Sequence, residues 1–195
     1  MIYENKILEI ATNNNGIVTT KEVSENKIAR IYLTKLIKEK KLYRIERGIY
    51  STSKITLDSY YSLQNKSKKI IFSHFTSLKI QGFYKNIDNI DQLSVLQGYN
   101  AKKFKNYKVF YNSKSNYEKG IIKFKYKGHI LKIYDLERTV CDIIKDRNRF
   151  EQLEYNKFIN YYFNRNDLNY KKLLEYSKAL RISKLVHHYL SLFKA

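Results

Sequence analysis

The chain has 195 residues, 43% of them hydrophobic, with 38 basic against 18 acidic side chains and a formal net charge of +20. There is enough apolar material for one large domain or two small ones, and the charge favours polyanionic partners held in a salt-dependent way. A single cysteine, Cys141, excludes an internal disulfide framework, and no apolar run approaches the ~20 residues of a membrane span.

The N-terminal stretch reads without a secretory h-region, so a soluble, cytoplasmic chain with no membrane partner is the expectation. Part of the lysine excess has a bland alternative. The chain is crowded with Lys, Asn, Ile and Tyr and has no Pro or Trp, as AT-rich coding would produce. Position along the chain helps: residues 1–55 hold 11 basic and 6 acidic side chains, whereas residues 66–132 hold 15 and 3.

Ile7, Leu8, Ile10 and Ala11 fall at helical spacing within Ile2 to Ala11, and Gly16 closes that helix after an Asn run. A short strand from Ile17 leads into Thr19, Thr20, Lys21 and Glu22, where Thr19 with Glu22 fits a capping box. Ser24 to Lys27 reads as a turn into a second helix reaching Lys38. Projected at ~100° per residue, Ile28, Ala29, Tyr32, Leu33, Leu36 and Ile37 share one half of that cylinder. Lys27, Arg30, Ile31, Thr34 and Lys38 share the other.

After Lys41 the period changes. Leu42 to Glu46 alternates like a strand, Arg47-Gly48 reads as a hairpin turn, and Ile49, Tyr50 and Ser51 return. Capped helix, basic helix and Arg-tipped hairpin in this order predict a winged helix-turn-helix over residues 1–55, its second helix in a DNA major groove and its hairpin on the flank. Arg30 suits the edge of guanine, Thr34 a base or phosphate, and Ile31 a thymine methyl. Lys27 and Lys38, near the helix ends, suit phosphates, which position without reading sequence. Thr20 and Lys21, with Arg44 and Arg47 of the wing, complete the expected DNA contacts. The plainer reading is an ordinary α+β segment with a solvated basic face.

Ser51 to Thr56 reads as a polar linker. Beyond it, a helix is expected from Asp58 to Asn65, a strand at Ile70 to Phe72, and a helix capped by Ser73 that ends near Gly82. Strands follow at Leu93 to Leu96 and Tyr107 to Tyr111, then a hairpin, Ile121 to Tyr126 with His129 to Tyr134, around Lys127-Gly128. Asp135 caps a helix through Asp146, and Glu151 to Phe163, Asn169 to Leu180 and Lys184 to Phe193 complete a helical end. The fold class is therefore α+β: a winged helix-turn-helix followed by a mixed α/β domain over 57–195 that ends in several helices.

Three stretches, LYRIERGIY (Leu42 to Tyr50), IFSHFTSLKIQGF (Ile71 to Phe83) and YDLERTVCDIIK (Tyr134 to Lys145), resemble the AbiEi family of type IV toxin–antitoxin, or abortive infection, systems. The resemblance runs in order over nearly the whole chain. It implies an autorepressor that binds inverted repeats of operator DNA through its N-terminal domain. It also implies a C-terminal domain that counters a nucleotidyltransferase toxin without forming a tight complex with it. Lys27, Arg30 and Thr34 carry over as recognition-helix contacts, and Arg44 and Arg47 as wing contacts. The family supplies no catalytic residues to transfer.

Constellations that bear chemistry have ordinary explanations here. Asp135, Glu137 and Asp142 beside Arg138 read as a cap and an intrahelical ion pair rather than a metal site. His187 and His188 are adjacent and point different ways on a helix. His74 and Cys141 read as structural, and no phosphate loop or Cys-x-x-Cys appears. A non-enzyme without cofactor or metal is expected. The basic middle offers a second nucleic-acid surface, Lys102, Lys103, Lys105, Lys123, Lys125 and Lys127, for operator DNA or the RNA target of the toxin. Ile122, Phe124 and Tyr126 take the opposite strand face as core. A solvated face is the alternative for these lysines, and a winged-helix regulator with a ligand-sensing or assembly domain is the alternative function. A monomer that assembles on repeated half-sites is expected.

Overall fold

The computed structural model describes residues 2–54, 57–83 and 90–193, so Ile55 and Thr56 of the expected linker lie outside the described residues. The class is α+β: among the described residues there are ten α-helices and two sheets. The chain divides into two compact units, residues 1–63 with 125–130, and residues 64–124 with 131–195.

In the first unit, α1 (Ile2–Asn13) precedes β1 (Ile17–Thr19), α2 (Thr20–Glu25), α3 (Ile31–Lys38), β2 (Tyr43–Glu46) and β3 (Ile49–Ser51). The three strands form a sheet in the order β1-β3-β2, antiparallel throughout. Helices before a small sheet in this order fit a winged helix-turn-helix. Ile7 and Ala11 of α1 are fully buried with Val18, Val23, Leu33 and Leu36, as the helical spacing predicts. Each of the Ile, Val and Leu side chains removed from water contributes about 1.5–3 kcal/mol. Gly16 takes positive φ, and its N–H bonds the carbonyl of Ala11, closing α1.

The basic helix starts at Ile31, not Lys27, because Lys27 adopts a left-handed φ of 57° and Arg30 is the N-cap. Residues 26–30 form the turn: Lys27 N–H bonds Ser24 O at 3.0 Å and Ile28 N–H bonds Val23 O at 3.0 Å. Ile28 is buried and pins the turn to the core, while Ala29, assigned to the apolar half, is exposed. Beyond the turn the projection holds, with Leu33 and Leu36 buried, Tyr32 and Ile37 half-buried, and Ile31, Thr34 and Lys38 exposed.

α4 (Ser59–Lys66) leads from the first unit into the second. A five-stranded sheet, in the second unit apart from residues 125–130, has the order β6-β5-β4-β8-β7, from β4 (Ile71–Phe72), β5 (Gln92–Leu96), β6 (Lys108–Asn112), β7 (Ile121–Tyr126) and β8 (His129–Tyr134). β4 runs antiparallel to β5 and parallel to β8, and β5 runs parallel to β6. Helix α5 (His74–Gln81) follows β4, and α6 (Lys114–Tyr117) follows β6. Helices α7 (Leu136–Lys145), α8 (Gln152–Phe163), α9 (Tyr170–Ala179) and α10 (Ser183–Phe193) close the chain. Their core includes Phe75, Val140, Cys141, Phe158, Tyr162 and Leu173.

Asp135 caps α7 as predicted: Arg138 N–H donates to Oδ1 at 2.9 Å, while Lys172 Nζ and the Tyr176 hydroxyl reach Oδ2 at 3.0 Å. The Ser73 prediction fails in its chemistry. Ser73 sits at the N-cap of α5 with extended backbone, but its hydroxyl bonds His74 Nδ1. Gln92 of β5 supplies the acceptor instead, taking Phe75 N–H on Oε1 at 2.8 Å.

Candidate nucleic-acid interface

The interface is built from α2 upward. Thr19 Oγ1 accepts from Glu22 N–H at 3.2 Å, and Glu22 Oε2 accepts from Thr19 N–H at 2.7 Å, so the expected capping box is complete. Asn26 then ends the helix, its side-chain amide bonding Glu22 O at 2.9 Å. This turn sets the phase of α3.

Ile31 is 68% exposed on α3, unusually open for an isoleucine, with Thr34 and Lys38 beside it on the uncovered side. Arg30 and Lys27 are exposed in the preceding turn, so they approach a partner from a loop and a helix N-cap rather than from mid-helix. Lys35, left unassigned by the projection, pairs instead with Glu4 of α1 at 2.6 Å. Glu4 is buried, and the Lys35 hydrogen bond holds its carboxyl down to about 2. One cation of the helix thus fastens α3 to α1.

The β2–β3 hairpin follows the predicted path. Arg47-Gly48 makes the turn between β2 and β3, with Gly48 at φ 80°, and a bulge lies between Arg44 and Glu46. Arg44 and Arg47 are both exposed. Glu46 is tied down by Ser62 of α4, whose hydroxyl reaches both carboxylate oxygens at 2.7 Å.

Thr20 and Lys21 have more local duties than the others. Thr20 is half-buried and donates to the carbonyl of Gly48, and Lys21 pairs with Glu25 at 3.4 Å. By contrast, Lys27, Arg30, Lys38, Arg44 and Arg47 enter no ion pair among the described residues. Five exposed cations without a neutralising carboxylate can meet phosphates and base edges without first breaking an internal contact.

The lysines of the basic middle fall into two kinds. Lys123 and Lys125 are exposed at alternate positions of β7, with Ile122, Phe124 and Tyr126 half-buried between and beside them. Lys102, Lys103 and Lys105 are exposed around the buried Phe104, and Lys103 Nζ reaches the Lys66 carbonyl at 3.5 Å. Lys127 differs. It occupies the hairpin turn with φ 45° and pairs with Asp58 at 3.1 Å, a carboxylate that raises its ammonium above the ordinary lysine value.

Other titratable groups are accounted for. Arg138 and Asp142 form the expected i, i+4 pair, both buried, with Nε 3.1 Å from each carboxylate oxygen. Arg138 also donates to the carbonyls of Asn116 and Lys119 and lies over the Tyr134 ring. Cys141 is buried, its thiol pushed up by desolvation. His187 and His188 are exposed on α10. Sequence reasoning missed one cluster: His74 bonds Ser73 Oγ at 2.9 Å and Asp146 Oδ2 at 3.2 Å, and stacks on Phe110 at 3.7 Å. Ser73 is fully buried, so its hydroxyl is out of reach of a substrate and serves the packing. Only Ser73 and His74 are neighbours in sequence; Asp146 is 72 residues from His74.

Among the described residues no group of histidine, cysteine and carboxylate side chains is placed to hold a metal ion. No described helix is long and apolar enough to cross a membrane. Residues 5–52 match a family model described as transcriptional regulator, AbiEi antitoxin, in agreement with the resemblance read from the sequence. That match runs from within α1 to just past β3, and the family is one of regulators and antitoxins. No curated protein matches the chain.

Proposed function

We propose that the chain is a type IV antitoxin and transcriptional autorepressor of an abortive infection system. In this reading the first unit is a winged helix-turn-helix that binds inverted repeats in its own promoter. Arg30, Ile31 and Thr34 read bases, Lys27 and Lys38 hold phosphates, and Arg44 and Arg47 touch the flank. Thr20 and Lys21 support that surface from the start of α2. The carrying observation is the set of five exposed, unpaired cations on the α2–α3 turn, α3 and the wing.

The remainder of the chain counters a nucleotidyltransferase toxin without holding it tightly, acting in the cytoplasm and catalysing nothing itself. Lys102, Lys103, Lys105, Lys123 and Lys125 offer the second surface for nucleic acid, with Lys127 a structural member of the set. Two measurements test the reading. A gel shift with the chain's own upstream region should show binding that is lost in an Arg30→Ala/Arg44→Ala double variant. Co-expression with a neighbouring nucleotidyltransferase should restore growth, including in that variant. Failure of wild-type chain to shift the fragment removes the repressor, and failure to restore growth removes the antitoxin.

A further inference from the structure

A cleft of about 500 Å³ opens in the second unit at the end of β5, lined by Lys69, residues 96–100 and Tyr117. Two tyrosines line it, and the Tyr99 ring is backed by Phe104 at 6.3 Å between centroids. The Tyr99 hydroxyl is hydrogen-bonded to Ser67 Oγ at 2.9 Å, and the Tyr117 hydroxyl donates to the Lys69 carbonyl at 2.9 Å. Both polar tips are thereby tied back into the protein. The Tyr117 carbonyl is held in turn by the Tyr134 hydroxyl at 2.9 Å. Burial, reinforced by Tyr99, raises the Tyr117 phenol, so it stays neutral.

Gly98 has φ +84°, and a Cβ there would meet nothing within 4 Å. Leu96, 37% exposed at the strand end, adds apolar surface. Asn100 Oδ1 accepts from Lys102 N–H at 3.1 Å, which leaves its NH2 group as the donor it can offer. None of the lining residues carries a carboxylate, Glu118 being the acidic neighbour of Tyr117, and Lys69 of the lining is exposed, as are Lys102 and Lys103 shortly after Asn100.

Two aromatic side chains, an amide donor and the exposed Lys69 select a ligand that is at once planar, hydrogen-bonding and anionic. A nucleotide has those properties. In a duplex its base faces are hidden in the stack, so the base must be unpaired. We propose that this cleft takes an unpaired nucleotide of single-stranded RNA, the base against Tyr99 and Tyr117, the ribose hydroxyl at Asn100 and the phosphate at Lys69. This surface goes beyond operator binding and does not rest on it.

The test uses the full chain, fluorescence anisotropy with an eight-nucleotide single-stranded RNA, the matched single-stranded DNA, and a duplex of the same length. The RNA should bind more tightly than either DNA. Leu96→Glu, which puts a carboxylate into the cleft at a part-exposed position, should weaken RNA binding about tenfold and leave duplex binding unchanged. Tyr117→Ala should weaken RNA binding about as much. Tyr117→Phe keeps the face and should stay within about twofold. A 2-aminopurine at the central position should lose fluorescence on binding wild type and Tyr117→Phe, but not Leu96→Glu. Equal affinity for single-stranded DNA, equal affinity for the duplex, no loss in Leu96→Glu, or an unquenched 2-aminopurine each overturns the proposal. Because duplex binding is read in the same series, failure here is distinct from failure of the repressor reading.

Discussion

Thr20 holds the wing turn with two hydrogen bonds to one atom: its backbone N–H and its hydroxyl both donate to the carbonyl of Gly48, at 2.9 and 3.2 Å. The residue after the N-cap of α2 therefore fixes the hairpin that carries Arg47. A Cβ on Gly48 would stand 3.2 Å from the same hydroxyl, so the approach is close as well as bonded. Thr20→Val keeps the branched shape and removes only the hydroxyl. It should cost about 0.5–1.5 kcal/mol in a denaturant melt. Operator affinity should fall several-fold, and Thr20→Ser should restore both.

Arg30 and Lys38 should part company. Arg30→Ala should cost about 1–3 kcal/mol on the preferred operator and relax base preference, whereas Lys38→Ala should weaken all sequences alike and lower the salt slope by about 1. Binding titrations on operator and scrambled duplexes at several salt concentrations read both effects. Equal, small losses from the two variants would mean that the exposed side of α3 does not face DNA.

Acid should loosen α1 from α3. The Glu4 carboxyl, held down to about 2 by Lys35, has a folded value below its ordinary 4.5. Its contribution is therefore complete above pH 4.5 and lost as pH falls toward 2. Lys35→Met should flatten much of the pH dependence of stability in that window by lowering stability at neutral pH, modestly because Lys35 is half-open to water, and should change little near pH 2, where Glu4 is protonated. Urea melts from pH 2 to 7 check the slope.

Gly120 and Arg138 form a rigid contact in the second unit. Gly120 has φ +76°, and a Cβ there would lie 2.6 Å from Arg138 Cβ. Gly120→Ala should destabilise the chain by about 2–4 kcal/mol through strain and overlap. Asp142→Ala, which leaves the Arg138 guanidinium buried without its carboxylate, should cost about 3–5 kcal/mol. Thermal melts followed by circular dichroism measure both.

Charge reversal should separate the lysines of the hairpin. Lys123→Glu and Lys125→Glu, at exposed strand positions, should change stability by no more than about 0.5 kcal/mol. Lys127→Glu should cost more, since it turns the 3.1 Å pair with Asp58 into a repulsion. Nucleic-acid binding should fall in the first two variants without loss of fold.

The features read correctly from sequence share a short reach. Thr19 with Glu22, the Gly48 and Gly128 turns, Asp135 with the N–H of Arg138, and Arg138 with Asp142 each involve residues no more than four apart. Their geometry is set by the local chain, so residue type and spacing suffice. The start of α3 was illegible for the opposite reason. Nothing in Asn26-Lys27 announces a left-handed residue, and Lys27 adopts one because Ile28 must reach the core beside Val23. Likewise, the α5 cap comes from Gln92, 17 residues beyond the N–H it accepts.

The amino-acid sequence alone determined the α+β class, the helix-helix-hairpin order and which lysines and arginines face outward, because amphipathic period and turn chemistry act over a few residues. Tertiary structure alone decided which of those charges are already engaged. Lys35 is held by Glu4, Lys127 by Asp58 and Lys172 by Asp135, partners 31, 69 and 37 residues away. Coulomb attraction and hydrogen bonding depend on separation in space, and only the folded chain sets that.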